Sequence, residues 1–569
     1  AASEQVYTLI DHSLVRFSGG RYSLHELLRQ FAEEKLAAPA PIRRRHRDYY
    51  LGFVRQRSDR LIRQDLVQAS AEIGQEWENI QQAWMWAVDE HDVPGLAGTL
   101  AGLSHYLRNS GMTWFGETLI QAALDNLLAA NRASHPGDNT PNDSAQWQQT
   151  IGQLWLELAR SYVWSAQYER CTAIARRVIE IGNTIADPDL IAGGHLELGR
   201  ALWRLGDYHA ARDVLERRPP LAAERPWIET QAVSTLGNIY FAQGALQEAE
   251  HHYRQALHIQ KQADIWSNRV QVLNNLATVA ALRGQLEPAL RLFLEVLAVS
   301  RQFNQQYFQI SIFLNLGLCY CGLGQYTQAE VRLQQALRLA NQIRNRQNTT
   351  DTLLGLAQLY RCLGKFEVSR DYLQQTFDLC RESGEKNVMA EALMHAALLH
   401  LAQDDLAEAY EASQESVKLI QELGPTGVGL DITITSGYCC LALGDYACAH
   451  AAFSSGQTIS QGVGNPLKLI EAQAGLANTC LHQGQQPAAR DLLEGIWRQI
   501  EQHAHLMGTV LPYHLYGLII QSLTELGDAR ADVLLKRARA LIQAQAQPIA
   551  DPVTRQAFIQ QTMCRKILA

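Results

Sequence analysis

The fold is decided by residues 236–256, which read LGNIYFAQGALQEAEHHYRQA. A small residue, Gly237, stands near the start of this stretch, and Gly244 then interrupts the apolar pattern. After Gly244, small and aromatic residues recur at the spacing of one helix face, as Ala249 and Tyr253 show. We therefore predict two closely packed helices, with Gly244 ending the first because glycine tolerates the left-handed conformation.

This pattern recurs along the chain with a period of 40 residues. The turn positions are Ala166, Gly206, Gly244, Gly284, Gly324, Gly364, Asp404, Gly444 and Gly484. The first two intervals are 40 and 38 residues, and every later interval is 40. A fixed period in this range predicts a solenoid of stacked helix pairs, and such units rarely carry out chemistry themselves.

These residues resemble the tetratricopeptide repeat (TPR) family, in the variant whose helices are longer than those of the usual unit of about 34 residues. The resemblance covers residues 147–500. It implies an all-α, right-handed superhelical solenoid of about 9–11 TPR-like helix pairs, with the first helix of each pair on the concave side. Residues 501–569 are expected to form C-terminal capping helices, because a terminal repeat needs a polar outer side.

The N-terminal residues 1–37 predict a different kind of structure. Residues 14–17 alternate in polarity, Gly19 and Gly20 offer a tight turn, and residues 21–24 lead back as the second strand of a β-hairpin. An amphipathic helix follows from His25 to Leu36. Because a hairpin and one helix are too small to fold well alone, we expect the chain to begin within a domain.

The N-terminal part also resembles a known class of regulators. Four sequence segments carry this resemblance, and they occur in the order that the class shows: LIDHSLV (9–15), YSLHELLRQF (22–31), RHRDYY (45–50) and EWENIQQAWMWA (76–87). They resemble the end of the winged-helix domain and the linker helices of signal-transduction NTPases with numerous domains, the NB-ARC-like STAND class. The similarity is to bacterial members of the maltose-regulator and SARP types.

That resemblance implies a nucleotide cofactor, ATP or ADP, bound by an N-terminal domain of the full-length protein. His25 would contact the nucleotide there, and the alternative is a histidine that merely begins a helix. The predicted organisation is then residues 1–37 as the end of the winged helix, 38–130 as helical linker and degenerate repeat, 131–146 as a loop insertion, 147–500 as the solenoid and 501–569 as the cap.

The predicted ligand groove follows the first helices. Positions one before or two after the repeated leucine of each first helix are expected to face it, together with apolar neighbours. The candidates are Arg200, Asn238, Phe241, Asn275, Asn315, Gln358, Tyr438 and Asn478. Asparagine amides can both donate to and accept from an extended peptide backbone, as in the similar inner rows of kinesin light chain. The alternative is simple solvation of a concave surface. Apolar pockets would be added by Phe241, Leu318, Leu398 and Leu401 if they point inward.

Composition narrows the function classes. The net charge of −8 does not favour binding to nucleic acid or to a membrane surface. No apolar run reaches the length of a membrane span. The arginines of residues 43–63 could contact nucleic acid, but interspersed aspartates favour a solvated helix face. The ten cysteines show no disulfide or metal spacing, which predicts reduced thiols in a cytoplasmic protein. No catalytic constellation occurs, so we predict neither an enzyme nor a metal site in this chain.

The leading functional hypothesis is a sensor region. A protein or peptide effector, favoured over a small molecule, would bind the concave groove and control the nucleotide switch of the protein's own N-terminal nucleotide-binding domain. The alternatives are a passive scaffold for protein–protein interaction, or the C-terminal part of a bacterial transcriptional activator that contacts DNA only through another domain.

Overall fold

The computed structural model describes residues 2–12, 14–18, 21–35, 39–63, 65–110, 112–134, 145–165, 167–218, 226–266, 268–302, 306–342, 346–383, 386–423, 428–501 and 505–569. The chain divides into two compact units, Ala1–Ala201 and Leu202–Ala569, and the boundary falls inside one helix of the predicted solenoid. The predicted turn at Gly19 and Gly20 and most of the predicted loop insertion lie outside the described residues.

The first unit begins with a helix and a hairpin and continues as helices. Its elements are α1 Ala2–Asp11, β1 Val15–Ser18, β2 Arg21–Leu24, α2 Glu26–Glu34, α3 Pro39–Arg55, a 3-10 helix Arg60–Ile62, α4 Leu66–Gln75, α5 Trp77–Asp89, α6 Val93–Asn109, α7 Thr113–Ser134, α8 Ala145–Trp164, α9 Tyr168–Ile185 and α10 Pro188–Arg204. The strands pair antiparallel, with Val15 opposite Leu24. The predicted hairpin and following helix are therefore confirmed.

The second unit consists of helices. They are α11 Tyr208–Glu216, α12 Pro226–Ala242, α13 Leu246–Gln262, α14 Arg269–Leu282, α15 Leu286–Gln302, α16 Gln306–Gly322, α17 Tyr326–Gln342, α18 Arg346–Cys362, α19 Phe366–Ser383, α20 Lys386–Gln403, α21 Leu406–Leu423, α22 Gly429–Leu443, α23 Tyr446–Val463, α24 Pro466–His482, α25 Gln486–Ile500, α26 Pro512–Glu525, α27 Arg530–Ala546, α28 Pro552–Gln560 and α29 Thr562–Leu568. Within the described ranges, α8 to α25 make nine consecutive pairs, as the 40-residue period predicts.

The turn inside a pair is fixed by local chemistry, and the α22–α23 turn shows how. Gly444 adopts φ 79°, and its N–H donates to the carbonyl of Leu441 while the N–H of Asp445 donates to that of Cys440. The Asp445 carboxylate then accepts from the N–H of Cys448 at 3.0 Å and caps α23. The glycine thus closes one helix and the aspartate opens the next, which keeps the turn short.

The small residues of the repeat admit a large side chain between adjacent first helices. The ring of Phe453 on α23 is fully buried, and a Cβ added at Gly437 or Gly475 would lie 2.7 Å or 2.5 Å from it. Gly237 stands in the same relation to Tyr253, at 2.7 Å. Glycine is therefore a packing requirement at these three positions, because a side chain there would displace the aromatic ring.

The solenoid of the second unit closes on itself. The side-chain N–H of Asn465 donates to the carbonyl of Leu282, 183 residues earlier, at 2.8 Å. In the same way Gln561 donates to the carbonyl of Cys362 at 2.8 Å. Helices α26 to α29 thus pack against the turns of earlier repeats as well as beside α24 and α25. The C-terminal helices are therefore part of a common apolar core with the earlier repeats.

One expectation about the cysteines is wrong. Cys440 and Cys448 form a disulfide across the α22–α23 turn, with their Cα atoms 5.8 Å apart. The sequence analysis missed it because helix-packing positions eight residues apart become neighbours only when the turn brings the two helices together. The other eight cysteines are free thiols, and seven of them are buried.

Candidate functional site: an interior cavity of the second unit

Seven first helices of the second unit, α12, α14, α16, α18, α20, α22 and α24, surround an interior cavity of about 390 Å³. Residues 508–510, in the connection between α25 and α26, also line it. The lining is largely apolar, with Phe241, Leu282, Leu318, Leu398, Leu430, Ile459 and Val463. A cavity of this size and character is in the range of small-ligand sites, which run from about 300 to 1,000 Å³.

A second cavity of about 280 Å³ adjoins the first and is lined partly by α26 and α29. The two cavities have five lining residues in common. These are Gly322, Gln358, Arg361, Thr509 and Val510. The space inside the second unit is therefore two chambers that meet at the C-terminal end of α18.

Glu471 on α24 holds the connecting segment in place. Its side chain is fully buried and accepts hydrogen bonds from the N–H groups of Val510 and Leu511 at 2.9 and 3.0 Å. The hydroxyl of Tyr438 donates to the same carboxylate at 3.1 Å. Burial raises the pKa of Glu471, and Lys468 and the two backbone N–H groups act in the opposite direction. This carboxylate is thus the main polar anchor of one wall of the cavity.

Two buried cations line the first cavity. Lys468 forms an ion pair with Asp431, with Nζ and Oδ1 2.9 Å apart, and its Nζ lies 3.9 Å from Glu471. Arg361 is 6% exposed and lies beside His395, which is 5% exposed. Burial, reinforced by the Arg361 charge, lowers the pKa of His395 to about 3. His395 is therefore neutral at physiological pH, so it adds no charge to the cavity.

Acidic residues recur at 40-residue intervals on four consecutive first helices. They are Asp351, Glu391, Asp431 and Glu471, five residues before the repeated leucine position. Burial and the neighbouring charges of Asp351 and Asp431 raise the pKa of Glu391 to about 7. Burial likewise raises the pKa of Glu471, so two members of this row, Glu391 and Glu471, favour the protonated form more than a free glutamate does.

A pH-dependent stability follows from the raised pKa of Glu391. Its favourable contribution is complete below the unfolded value of about 4.3 and is lost as the pH rises through about 7. Glu391→Gln should therefore unfold at a higher temperature than the wild type near pH 8, and the difference should shrink toward about pH 4, as thermal unfolding would measure. The exposed Glu415→Gln is the matched control and should show no such trend. A pH-independent difference for Glu391→Gln would contradict this assignment.

The structure places two of the predicted groove residues at the cavity. Phe241 lines the first chamber, and Gln358 lines both. The apolar residues Leu318 and Leu398 also line the first chamber, and Leu401 lines the second. All five residues line the cavity, and their contact with a ligand stays a prediction.

The predicted asparagines instead bond to neighbouring first helices. The Asn238 carbonyl oxygen accepts from the Tyr253 hydroxyl at 2.8 Å and from the Asn275 amide at 2.9 Å. The Asn315 amide donates to Asn274 at 3.3 Å. Amide groups engaged in such a ladder hold adjacent repeats in register, so their availability to a peptide backbone stays a prediction.

The remaining predicted residues have structural partners. Tyr438 is buried on Glu471, and Asn478 is buried under α26, where its amide donates to Ser522 at 3.4 Å. Arg200, in the first unit, forms an ion pair with the buried Glu197 at 3.2 Å. His25 directly precedes α2, and its exposed side chain accepts from the N–H of Leu27 through Nδ1 at 3.3 Å. Its nucleotide contact stays a prediction.

Four arginines in the arginine-rich segment of the first unit form ion pairs with acids, namely Arg44, Arg47, Arg57 and Arg60. Arg57 and Arg60 both contact the Glu72 carboxylate, at 2.6 and 2.9 Å. Hydrogen bonds from Arg60 are the main reason that the pKa of Glu72 falls to about 2. Arg47 pairs with Asp48 at 2.7 Å. These contacts favour the interpretation as a solvated helix face over a nucleic-acid contact.

The sequence analysis missed Arg361, Lys468 and the row of acidic residues. A usable signal existed for Arg361, since the corresponding position of each other pair from α12 to α25 is apolar. No similar signal marks Lys468, because only the tertiary packing turns it inward. Among the described residues no cluster of three or more metal-ligating side chains occurs, and no helix is long and apolar enough to cross a membrane.

The comparisons with known proteins agree with this architecture. Residues 262–541 match the family model described as the MalT-like TPR region, and residues 231–263 match a tetratricopeptide repeat model. No curated protein matches the chain.

Several solved structures are similar. A Rap protein complexed with Competence and Sporulation Factor is 12% identical, with a TM-score of 0.43, over 70% of this chain and 98% of that one. The apo form of the quorum sensor NprR from B. thuringiensis is 12% identical, with a TM-score of 0.43, over 61% and 97%. The STAND protein with a TPR sensor, PH0952 from Pyrococcus horikoshii, is 12% identical, with a TM-score of 0.37, over 86% and 60%. Over residues 262–541, this chain is thus similar to the MalT-like TPR regions.

Proposed function

We propose that the second unit is the effector-binding region of a STAND-type regulator and that the effector occupies its interior cavity. The observation that carries the proposal is the convergence of seven first helices on one largely apolar cavity of about 390 Å³. A ligand enclosed there contacts most repeats at once. Its binding energy would therefore favour one curvature of the solenoid over others, which is the physical requirement for a conformational signal.

The proposed switch partner is the protein's own nucleotide-binding domain. Apolar side chains of the hairpin and α2 support a docking role for this segment, because they are unusually exposed. They include Phe17, Tyr22, Leu27 and Phe31, each at least 55% exposed. Contiguous exposed apolar side chains mark interaction surfaces in soluble proteins. Effector binding would act through this linkage on exchange of ADP for ATP.

The proposed binding of the effector in the cavity can be tested by filling the first chamber with a larger side chain. Leu318→Trp adds an indole on the wall of the first chamber, so we expect the effector-stimulated nucleotide exchange of the full-length protein to fall about tenfold or more, since steric exclusion removes the binding energy. Val331→Trp, on an exposed position of α17, is the matched control and should respond normally. An unchanged response of a folded Leu318→Trp protein would instead favour the passive scaffold, in which partners dock elsewhere.

A further inference from the structure

Arg361 is a charged exception in an apolar row. The same position of the other pairs between α12 and α25 is filled by Phe241, Ala281, Cys321, Leu401, Leu441 and Leu481, each 40 residues from the next member of the row. An arginine at such a place is not explained by helix packing, because its neighbours in the row show that an apolar side chain suffices there.

Arg361 is buried without an acidic partner. Its side chain lines both chambers, and Nε has no hydrogen-bond partner. Across the described ranges it makes neither an ion pair nor a side-chain hydrogen bond. The nearby carboxylates are engaged elsewhere, since Asp431 pairs with Lys468 and Glu471 holds the backbone of Val510 and Leu511. A guanidinium withdrawn from water in this way is costly unless an anion meets it.

The two histidines beside Arg361 do not supply that anion, and the Cys362 thiol, whose pKa is lowered by its hydrogen bond with Cys321 and by the Arg361 charge, is already engaged with Cys321. Burial lowers the pKa of His395 to about 3 and that of His514 to about 4, with the Arg361 charge contributing to both shifts. Both imidazoles are therefore neutral at physiological pH. The first chamber also contains the Lys468–Asp431 ion pair, and its apolar walls include Phe241, Leu318 and Leu398. The site thus combines one uncompensated positive charge with an adjoining apolar volume.

We propose that Arg361 anchors the carboxylate of a ligand whose apolar body fills the first chamber. This inference rests on the proposed function and names the chemical class of the effector. The guanidinium offers a planar pair of N–H donors that matches a carboxylate, and the dry surroundings strengthen the contact. A small organic acid and a short apolar peptide with a free C-terminus share this chemistry.

Paired probes test the anchor directly. We expect octanoate, tri-leucine or both to bind the full chain in isothermal titration calorimetry, and octanol and tri-leucine amide to bind about tenfold or more weakly, because they lack the charge. Binding of octanoate alone identifies a small organic acid, and binding of tri-leucine alone identifies a peptide terminus. No binding of either acid at millimolar concentration, or equal binding of acid and neutral partner, would overturn the proposal.

Substitution of Arg361 gives a second, independent readout. Arg361→Met is expected to weaken acid binding about tenfold or more, to leave neutral probes unaffected, and to unfold at a higher temperature than the ligand-free wild type, because an unpaired buried charge is removed. Arg361→Lys keeps the charge and should retain part of the affinity. Arg346→Met, on the same helix but half-exposed and paired with Glu382 at 2.6 Å, is the matched control.

The outcomes separate this inference from the proposed function. If the acids bind through Arg361 but nucleotide exchange of the full-length protein does not respond, the role of Arg361 as the carboxylate anchor is supported and the proposed sensor function is contradicted. If nucleotide exchange responds to an effector and the Arg361→Met variant responds like the wild type, the sensor function is supported and the role of Arg361 as the anchor is contradicted. A strong loss of stability in ligand-free Arg361→Met would also count against the anchor, because it would show that the charge is already satisfied.

Discussion

Glu471→Ala is expected to lower the free energy of unfolding of the second unit by about 3–5 kcal/mol, the usual cost of removing one member of a buried charged network. The substitution leaves the N–H groups of Val510 and Leu511 and the Tyr438 hydroxyl without their acceptor. It also removes one of the two carboxylates near Lys468. Urea denaturation of the full chain measures the loss, and hydrogen exchange at Val510 and Leu511 should show that this wall of the cavity opens first.

Two variants distinguish the loss of the Glu471 hydrogen bonds from a general effect of removing a glutamate. Glu471→Gln keeps an acceptor oxygen at about the same place and should cost less than the alanine variant. Glu525→Ala removes an exposed glutamate at the end of α26 and should change stability by no more than about 0.5 kcal/mol. If Glu471→Ala were as mild as Glu525→Ala, Glu471 would not be the anchor of the connecting segment.

Phe453→Ala is the second substitution with a large expected effect, about 3–5 kcal/mol of unfolding free energy. The Phe453 ring fills the space left by Gly437 and Gly475 on two successive first helices and lies edge-on to Tyr438, with centroids 5.6 Å apart. Its removal leaves a cavity that the two backbones cannot close without shifting the repeats. Because each repeat is stabilised by its neighbours, guanidinium unfolding should become less cooperative around α22 to α24.

The control for Phe453→Ala truncates an apolar side chain that is exposed. Val533→Ala, on α27, removes methyl groups from a residue 44% exposed and should cost less than about 0.5 kcal/mol. Phe453→Leu keeps much of the buried volume and should fall between the two. Equal stability of Phe453→Ala and Val533→Ala would show that the glycine positions are not occupied by this ring.

The sequence by itself determined the repeating unit. The 40-residue period, the turn glycines and the small residues at positions such as Gly237 specify contacts between neighbouring helices only. Such contacts depend on residues that lie close together in the chain, so their spacing is visible in the printed sequence. The helix pairs, the hairpin before α2 and the inward position of Phe241 follow from that local logic.

The tertiary structure alone decided how the cavity is built. The bond from Asn465 to Leu282 joins residues 183 positions apart, and α26 to α29 return to the turns of earlier repeats. These contacts depend on the curvature that many repeats accumulate together, which no single repeat encodes. For the same reason the sequence could not show that Asn478 is covered by α26 or that Arg361 lies inside without an acidic partner. The spacing of residues within a repeat determines which helices pack together, whereas the closed path of the whole solenoid determines the shape of the cavity.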